Sequence, residues 1–169
     1  CHSRGRLYGG IRQGPRFPFA GEVKCGYVAP VKLSVKTDYA ARAVLELSAH
    51  SVDGPTLKVD DLAMVVGTSP NYLVQILIEL KAAGLVSSVR GKQGGYRLAK
   101  IPGEITLGDV WRAVDGEIFD SPALSDDKCA PVLREAWKGL KDTVNTAADE
   151  LNFAQLLEAS GRDKEMYYI

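Results

Sequence analysis

The run Leu85-Val86-Ser87-Ser88-Val89-Arg90-Gly91-Lys92-Gln93-Gly94-Gly95-Tyr96-Arg97-Leu98 constrains the fold more than any other part of the chain. Two short β-prone segments flank a basic, glycine-rich tip. The tip holds too little apolar surface for packing to explain it. Arg90, Lys92 and Arg97 fall within eight residues, on backbone that Gly91, Gly94 and Gly95 free to approach another surface closely. Such a hairpin is suited to lie against phosphates beside a helix held in a groove. It is the expected wing of a winged helix–turn–helix domain.

The upstream residues supply the helices that such a wing accompanies. Tyr39, Ala40, Ala43, Val44 and Leu47 recur at helical spacing and predict a first helix over 38–50, closed by Asp53-Gly54-Pro55. A short second helix is expected over 58–66, with Val59, Leu62, Ala63 and Val66 inward and Gly67 as its stop. Ser69 then caps a third helix, with Pro70 at its first position. Leu73, Ile76, Leu77 and Leu80 form its apolar face, and Gly84 ends it. Two helices joined by a tight glycine turn, with a hairpin after them, place the helix–turn–helix and its wing in residues 31–103.

Residues 104–159 are expected to form a second, helical region for dimerisation and signal reception. Thr106-Leu107-Gly108-Asp109 has the spacing of a capping box, and Leu107, Val110, Trp111 and Val114 give the next helix its buried stripe. Residues 115–128 are expected to be a polar loop. Pro131 starts a long helix in which Leu133, Trp137, Leu140, Val144, Ala147 and Leu151 alternate steps of four and three. A stripe with that spacing suits a partner helix, which predicts a homodimer. A short last helix is expected from Asn152 to Ala159, and 160–169 as a flexible tail with an apolar end at Met166, Tyr167, Tyr168 and Ile169. The fold class is therefore mainly α: a winged helix–turn–helix with a C-terminal long dimerisation helix.

Charge is distributed to match. Residues 1–30 hold five basic and one acidic side chain (+4), 31–103 nine and six (+3), and 104–169 seven and fourteen (−7), which sum to the net charge of zero. Local patches act within about 8–10 Å, so a neutral total is compatible with a nucleic-acid face. Residues 1–30 are punctuated by glycine and proline and carry no periodicity, so they are expected to be a disordered extension. The natural chain is expected to begin at Val31, with the preceding thirty residues read from upstream sequence; a basic arm reaching a minor groove is the alternative. No run of eighteen apolar residues predicts a membrane span, and no signal peptide is evident, so a cytoplasmic location is expected. Cys1, Cys25 and Cys129 are odd in number and far apart, which fits a reducing compartment.

These motifs together resemble a known family. Val31-Lys32-Leu33-Ser34 followed by Thr37-Asp38-Tyr39-Ala40-Ala41-Arg42-Ala43, then Ser69-Pro70-Asn71-Tyr72-Leu73-Val74-Gln75, are similar to the start and the recognition helix of the Rrf-two family of bacterial regulators, of the IscR, NsrR and CymR type. Lys81-Ala82-Ala83-Gly84-Leu85-Val86, Arg90-Gly91 and Gly94-Gly95-Tyr96-Arg97-Leu98 resemble its wing, and Ile105-Thr106-Leu107-Gly108-Asp109-Val110 with the Trp137 helix completes the match over 31 to 158. The resemblance implies homodimers on operator DNA, with long helices crossing at the interface. In many members three cysteines in the loop before that helix hold an iron–sulfur cluster. This sequence departs there: Cys129 alone remains, in a loop that offers Asp120, Asp126 and Asp127. Asp38 matches the position from which some members recruit an acidic ligand. One thiolate among hard carboxylates is a poor cluster site, so a cluster-free member is expected, with no metal and no other cofactor.

Bases would be read from the exposed face of the third helix by Ser69, Asn71, Tyr72 and Gln75, the last of which can pair bidentately with adenine, while the positive helix entry at Ser69 and Pro70 can hold a phosphate. Val74 suits either a thymine methyl or the core. Arg90 is expected in a minor groove, with Lys92, Arg97, Lys36 and Arg42 on phosphates. The predicted function is a sequence-specific transcriptional regulator, a repressor acting on double-stranded operator DNA. Two alternatives stand beside it. Val74 and Ile78 suit a winged helix that docks a protein, and Cys129 suits a redox sensor, because helix entries favour the thiolate. No Ser-His-Asp set, phosphate-cradling loop or metal-ligand spacing suggests an enzyme.

Overall fold

The computed structural model describes residues 33–50, 54–91 and 94–161; the expectations for 1–30, Lys92 and 162–169 lie outside the described residues. The elements are α1 (Val35–Ser48), α2 (Val59–Val66), α3 (Pro70–Ala82), β1 (Val86–Val89), β2 (Gly95–Leu98), α4 (Leu107–Asp115), α5 (Pro131–Glu150) and α6 (Phe153–Ser160). Short 3-10 turns occupy Pro102–Glu104 and Pro122–Leu124.

Local chemistry explains most boundaries. α1 begins three residues before the expected start, because Ser34 accepts a hydrogen bond from the Thr37 amide (3.0 Å) and acts as the cap. Polar capping comes before the first apolar repeat, so periodicity alone sets the start too late. α2 ends at Gly67, whose φ of +82° lets its amide and that of Thr68 reach the Ala63 carbonyl (2.9 and 3.0 Å). Ser69 caps α3 by accepting from the Tyr72 amide (3.3 Å), with Pro70 first in the helix.

The hairpin is antiparallel, with Val86 opposite Leu98, Ser87 opposite Arg97, Ser88 opposite Tyr96 and Val89 opposite Gly95. Val86 and Leu98 face inward and are buried. Leu57 adds a further rung on β2, exchanging both backbone hydrogen bonds with Tyr96 (2.9 and 2.8 Å). That rung needs glycine at 95, because a Cβ there would land on the Leu57 carbonyl.

One core joins the two expected regions. Ala40, Ala43, Val44 and Leu47 of α1 meet Leu62 and Val66 of α2, Leu73, Ile76, Leu77 and Leu80 of α3, Val110 and Val114 of α4, and Phe153 of α6. The boundary expected at 103/104 therefore does not divide the packing; α4 and α6 complete the core of the helix–turn–helix. The backbone ties them in, with Phe153 donating to the Ile105 carbonyl (3.0 Å) and Leu107 to that of Leu151 (2.8 Å). The capping box at Thr106 and Asp109 is formed in both directions, at 3.0 and 3.1 Å. A second, at Asn152 and Gln155, starts α6.

α5 differs from these helices. Of its twenty residues only Ala148 is buried. Leu133 and Leu140 are exposed, while Val144 and Ala147 are half-buried. Trp137 stacks on Phe119 of the preceding loop (centroids 5.9 Å apart), so part of the expected stripe is occupied within the chain. That loop is less uniformly polar than expected, since Ile118 is buried as well. Leu151 lies past the helix, in extended backbone at its cap. At the far end of α5, Arg112 of α4 bridges Asp109 (3.3 Å) and Asp149.

Candidate nucleic-acid interface

Helical geometry sorts the residues of α3 into two faces. At 3.6 residues per turn, Leu73, Ile76, Leu77 and Leu80 share a stripe, and all four are fully buried. Asn71, Gln75, Ile78 and Ala82 fall on the opposite side and are exposed. The core thus fixes which face of α3 looks outward. Of the expected readers, Asn71 and Gln75 sit at the centre of that face. Ser69 and Pro70 are exposed at its leading end, where backbone N–H groups favour an anion. Val74 is half-buried at the edge.

Tyr72 lies at the border between the buried and exposed faces. It is 40% exposed, and its ring meets that of Tyr39 edge-on at 6.1 Å. The Arg42 guanidinium lies over the other aromatic, 5.7 Å from the Tyr39 centroid. Arg42 pairs with Asp38 (2.6 Å) and reaches the Val66 carbonyl (3.5 Å) just before the helix–turn–helix turn. It remains more than half exposed, beside the entry of α3.

Lys36 is engaged inside the protein. Its ammonium pairs with Glu79 on α3 (2.6 Å) and donates to the Val114 carbonyl at the end of α4 (3.0 Å). Next to it, Asp115 accepts from the hydroxyls of Ser34 and Thr37. The start of α1 therefore fastens α4 to α3, and Lys36 serves that junction instead of facing outward as expected. Its spacing in the sequence gives no sign of this, because Glu79 and Val114 are distant along the chain.

On the wing, Arg90 is exposed at the end of β1, and Gly91 takes a φ of +111° beside it. Arg97 is half-buried on β2 opposite Ser87. A residue not singled out from the sequence links wing to helix: Lys81, in the last turn of α3, donates to Ser88 of β1 (2.6 Å). The arrangement joins a polar helix face, a positive helix entry and an arginine-tipped hairpin through one strut. Groove reading beside phosphate contact requires those parts.

Cys129 lies half-buried in the turn before α5, its thiol directed at the Ala130 carbonyl (3.7 Å). Arg134 holds this turn by donating to the carbonyls of Asp126 (2.6 Å) and Cys129 (3.4 Å). Asp126 accepts from the Lys128 amide (2.9 Å) and so is turned to its own backbone. Among the described residues, no three His, Cys, Asp or Glu side chains converge as a metal site. Also among them, no helix is long and apolar enough to cross a membrane.

Comparison with known proteins finds relatives with this fold. Over 137 residues the chain is 34% identical to the HTH-type transcriptional regulator CymR of Bacillus subtilis, covering 81% of this chain and 97% of that protein. The structure of B. subtilis CymR, described as a global cysteine regulator, superposes with a TM-score of 0.65 at 31% identity, over 76% of this chain and 98% of that one. T. potens IscR superposes with a TM-score of 0.64 at 32% identity, over 82% and 97%. Residues 33–159 match the Rrf2 family, described as an iron-dependent transcriptional regulator. The chain belongs to the Rrf2 family of helix–turn–helix transcriptional regulators.

Proposed function

We propose that the chain is a sequence-specific repressor that binds operator DNA as a homodimer and works without an iron–sulfur cluster. One observation carries the DNA reading: a fully buried stripe turns Asn71 and Gln75 of α3 outward, beside a wing that presents Arg90. Gln75 offers a bidentate donor–acceptor pair suited to adenine, and Asn71 has the same chemistry one turn earlier. Arg90 and the positive entry of α3 supply phosphate or minor-groove contacts.

The homodimer reading rests on α5, whose apolar side at Leu133 and Leu140 is left exposed by the other described residues. A second copy brings an identical stripe, and a twofold pair spaces two recognition helices for an inverted operator. We read the outcome as repression, since a dimer bound over a promoter would exclude polymerase with no further contact.

The family description names iron, and the residues here do not fit a thiolate-held cluster. Within 33–159 Cys129 is the single cysteine, and its neighbour Asp126 is bonded to the backbone. A soft cluster needs several thiolates, which hard carboxylates do not replace.

The test is a salt titration of binding to the duplex that the full chain selects from a random library. The logarithm of affinity should fall linearly with that of salt, with a slope of about −0.9 per phosphate neutralised. Enrichment of no duplex, or a flat salt response, overturns the reading.

A further inference from the structure

Ile78 is 53% exposed in the middle of the outward stripe of α3. It has no polar atom to offer, and the buried face of the helix is complete without it. Its exposed neighbours on α3 are Asn71, Gln75, Lys81 and Ala82, with Val74 half-buried one turn before it, so it is the one large aliphatic side chain exposed on that face. Protein-docking surfaces are broader apolar patches, and isolated exposed side chains of this kind do not form one. Met64 and Val65 are also exposed, but they lie on α2 with exposed Asp60 and Asp61, carboxylates that repel phosphate.

We propose that Ile78 reads the 5-methyl group of a thymine in the major groove, close to the base that Gln75 contacts. The inference rests on the DNA reading above and specifies its chemistry. Thymine is the one base that presents an apolar group in that groove. Three residues along a helix advance about 4.5 Å, against about 3.4 Å per base step, so Ile78 falls one or two steps from the Gln75 contact. Val74, the residue whose sequence position also suited a methyl contact, is half-buried against the body, whereas Ile78 is free to reach a base edge. The operator would therefore carry a fixed thymine next to an adenine-bearing pair.

Deoxyuridine substitution tests this, because it deletes the methyl and nothing else. In the duplex selected by the full chain, each thymine is replaced in turn and affinity is measured for wild type, Ile78→Ala and Gln75→Ala. In wild type one thymine per half-site should cost about four-fold, the equivalent of the roughly 0.8 kcal/mol of one buried methyl-sized group. Ile78→Ala should bind the thymine and deoxyuridine duplexes equally, whereas Gln75→Ala should keep the difference. Circular dichroism confirms that the variants are folded. The inference is overturned if no thymine matters to wild type, or if the methyl effect survives in Ile78→Ala. It is overturned too if Ile78→Ala binds every duplex as wild type does. A wild type that enriches no duplex removes the DNA reading first, and is thereby distinguishable from a failure of the methyl contact alone.

Discussion

α3 and α5 are built alike and end up differently. Each begins with proline, and each carries apolar side chains at helical spacing. The stripe of α3 is completely buried by α1, α2, the hairpin and α4. α5 is longer, yet leaves Leu133 47% and Leu140 43% exposed. Periodicity therefore reveals that a stripe exists and says nothing about what covers it. For α3 the cover lies within the chain, so its outward face is fixed before any ligand arrives. For α5 we assign the cover to a second copy.

The largest effect is expected where that assignment is attacked. Replacing Leu133 and Leu140 together by lysine should leave the fold intact and convert a dimer into a monomer in sedimentation. Operator affinity should then fall by about two orders of magnitude or more, since two half-sites no longer act as one. A variant that stays dimeric, or a wild type that is monomeric at operator-saturating concentration, breaks the comparison.

A change on α3 should act through stability instead. Leu77→Ala removes a fully buried side chain from the core and should cost about 2–5 kcal/mol in urea unfolding. Leu140→Ala in the monomeric background should cost about 0.5 kcal/mol or less. Equal costs would mean that the two helices are covered alike.

Arg90 and Lys36 sharpen the same contrast among cations. Arg90→Ala should weaken operator binding by about 1–3 kcal/mol and lower the salt slope, with unchanged melting temperature. Lys36→Met should lower the melting temperature and leave the salt slope as it is, because the ammonium is engaged with Glu79 and the Val114 carbonyl. A slope reduced by Lys36→Met would put that residue on a phosphate.

How legible was this in the sequence? The caps and stops at Ser69-Pro70, Gly67 and Thr106 to Asp109 were readable, because they act on backbone within a few residues; the Ser34 cap of α1 was missed because it precedes the first apolar repeat. The buried face of α3 followed from spacing alone. What depends on distant residues was not readable. Lys36 stands 43 positions from Glu79 and 78 from Val114. Arg42 is drawn to Asp38 by local charge, but the Tyr39–Tyr72 contact beneath it spans two helices. The shared core of α4 and α6 was missed for that reason too, since Phe153 meets residues more than a hundred positions away. Lys81 had no signal except its basic charge at the end of α3.

The smallest expected effect lies in the clasp that joins α4 to α5. Burial works to raise the Asp109 carboxyl, but hydrogen bonds from Thr106 and the Arg112 guanidinium outweigh it and hold the group below its ordinary range. The hydrogen bond to Asp149 is the main cause that holds Arg112 more firmly protonated than usual. A carboxyl depressed by folding takes up its proton more readily in the unfolded chain. Its stabilisation is therefore present above the ordinary carboxyl range and is lost as pH falls below about 4. Because these side chains are more than one-third exposed, solvent screening limits the effect to about half a kcal/mol. Asp109→Asn should melt slightly below wild type at neutral pH, and the gap should narrow as pH falls below about 4. A gap that stays constant from pH 7 to 3 would show that the Asp109 charge adds nothing to the capping geometry.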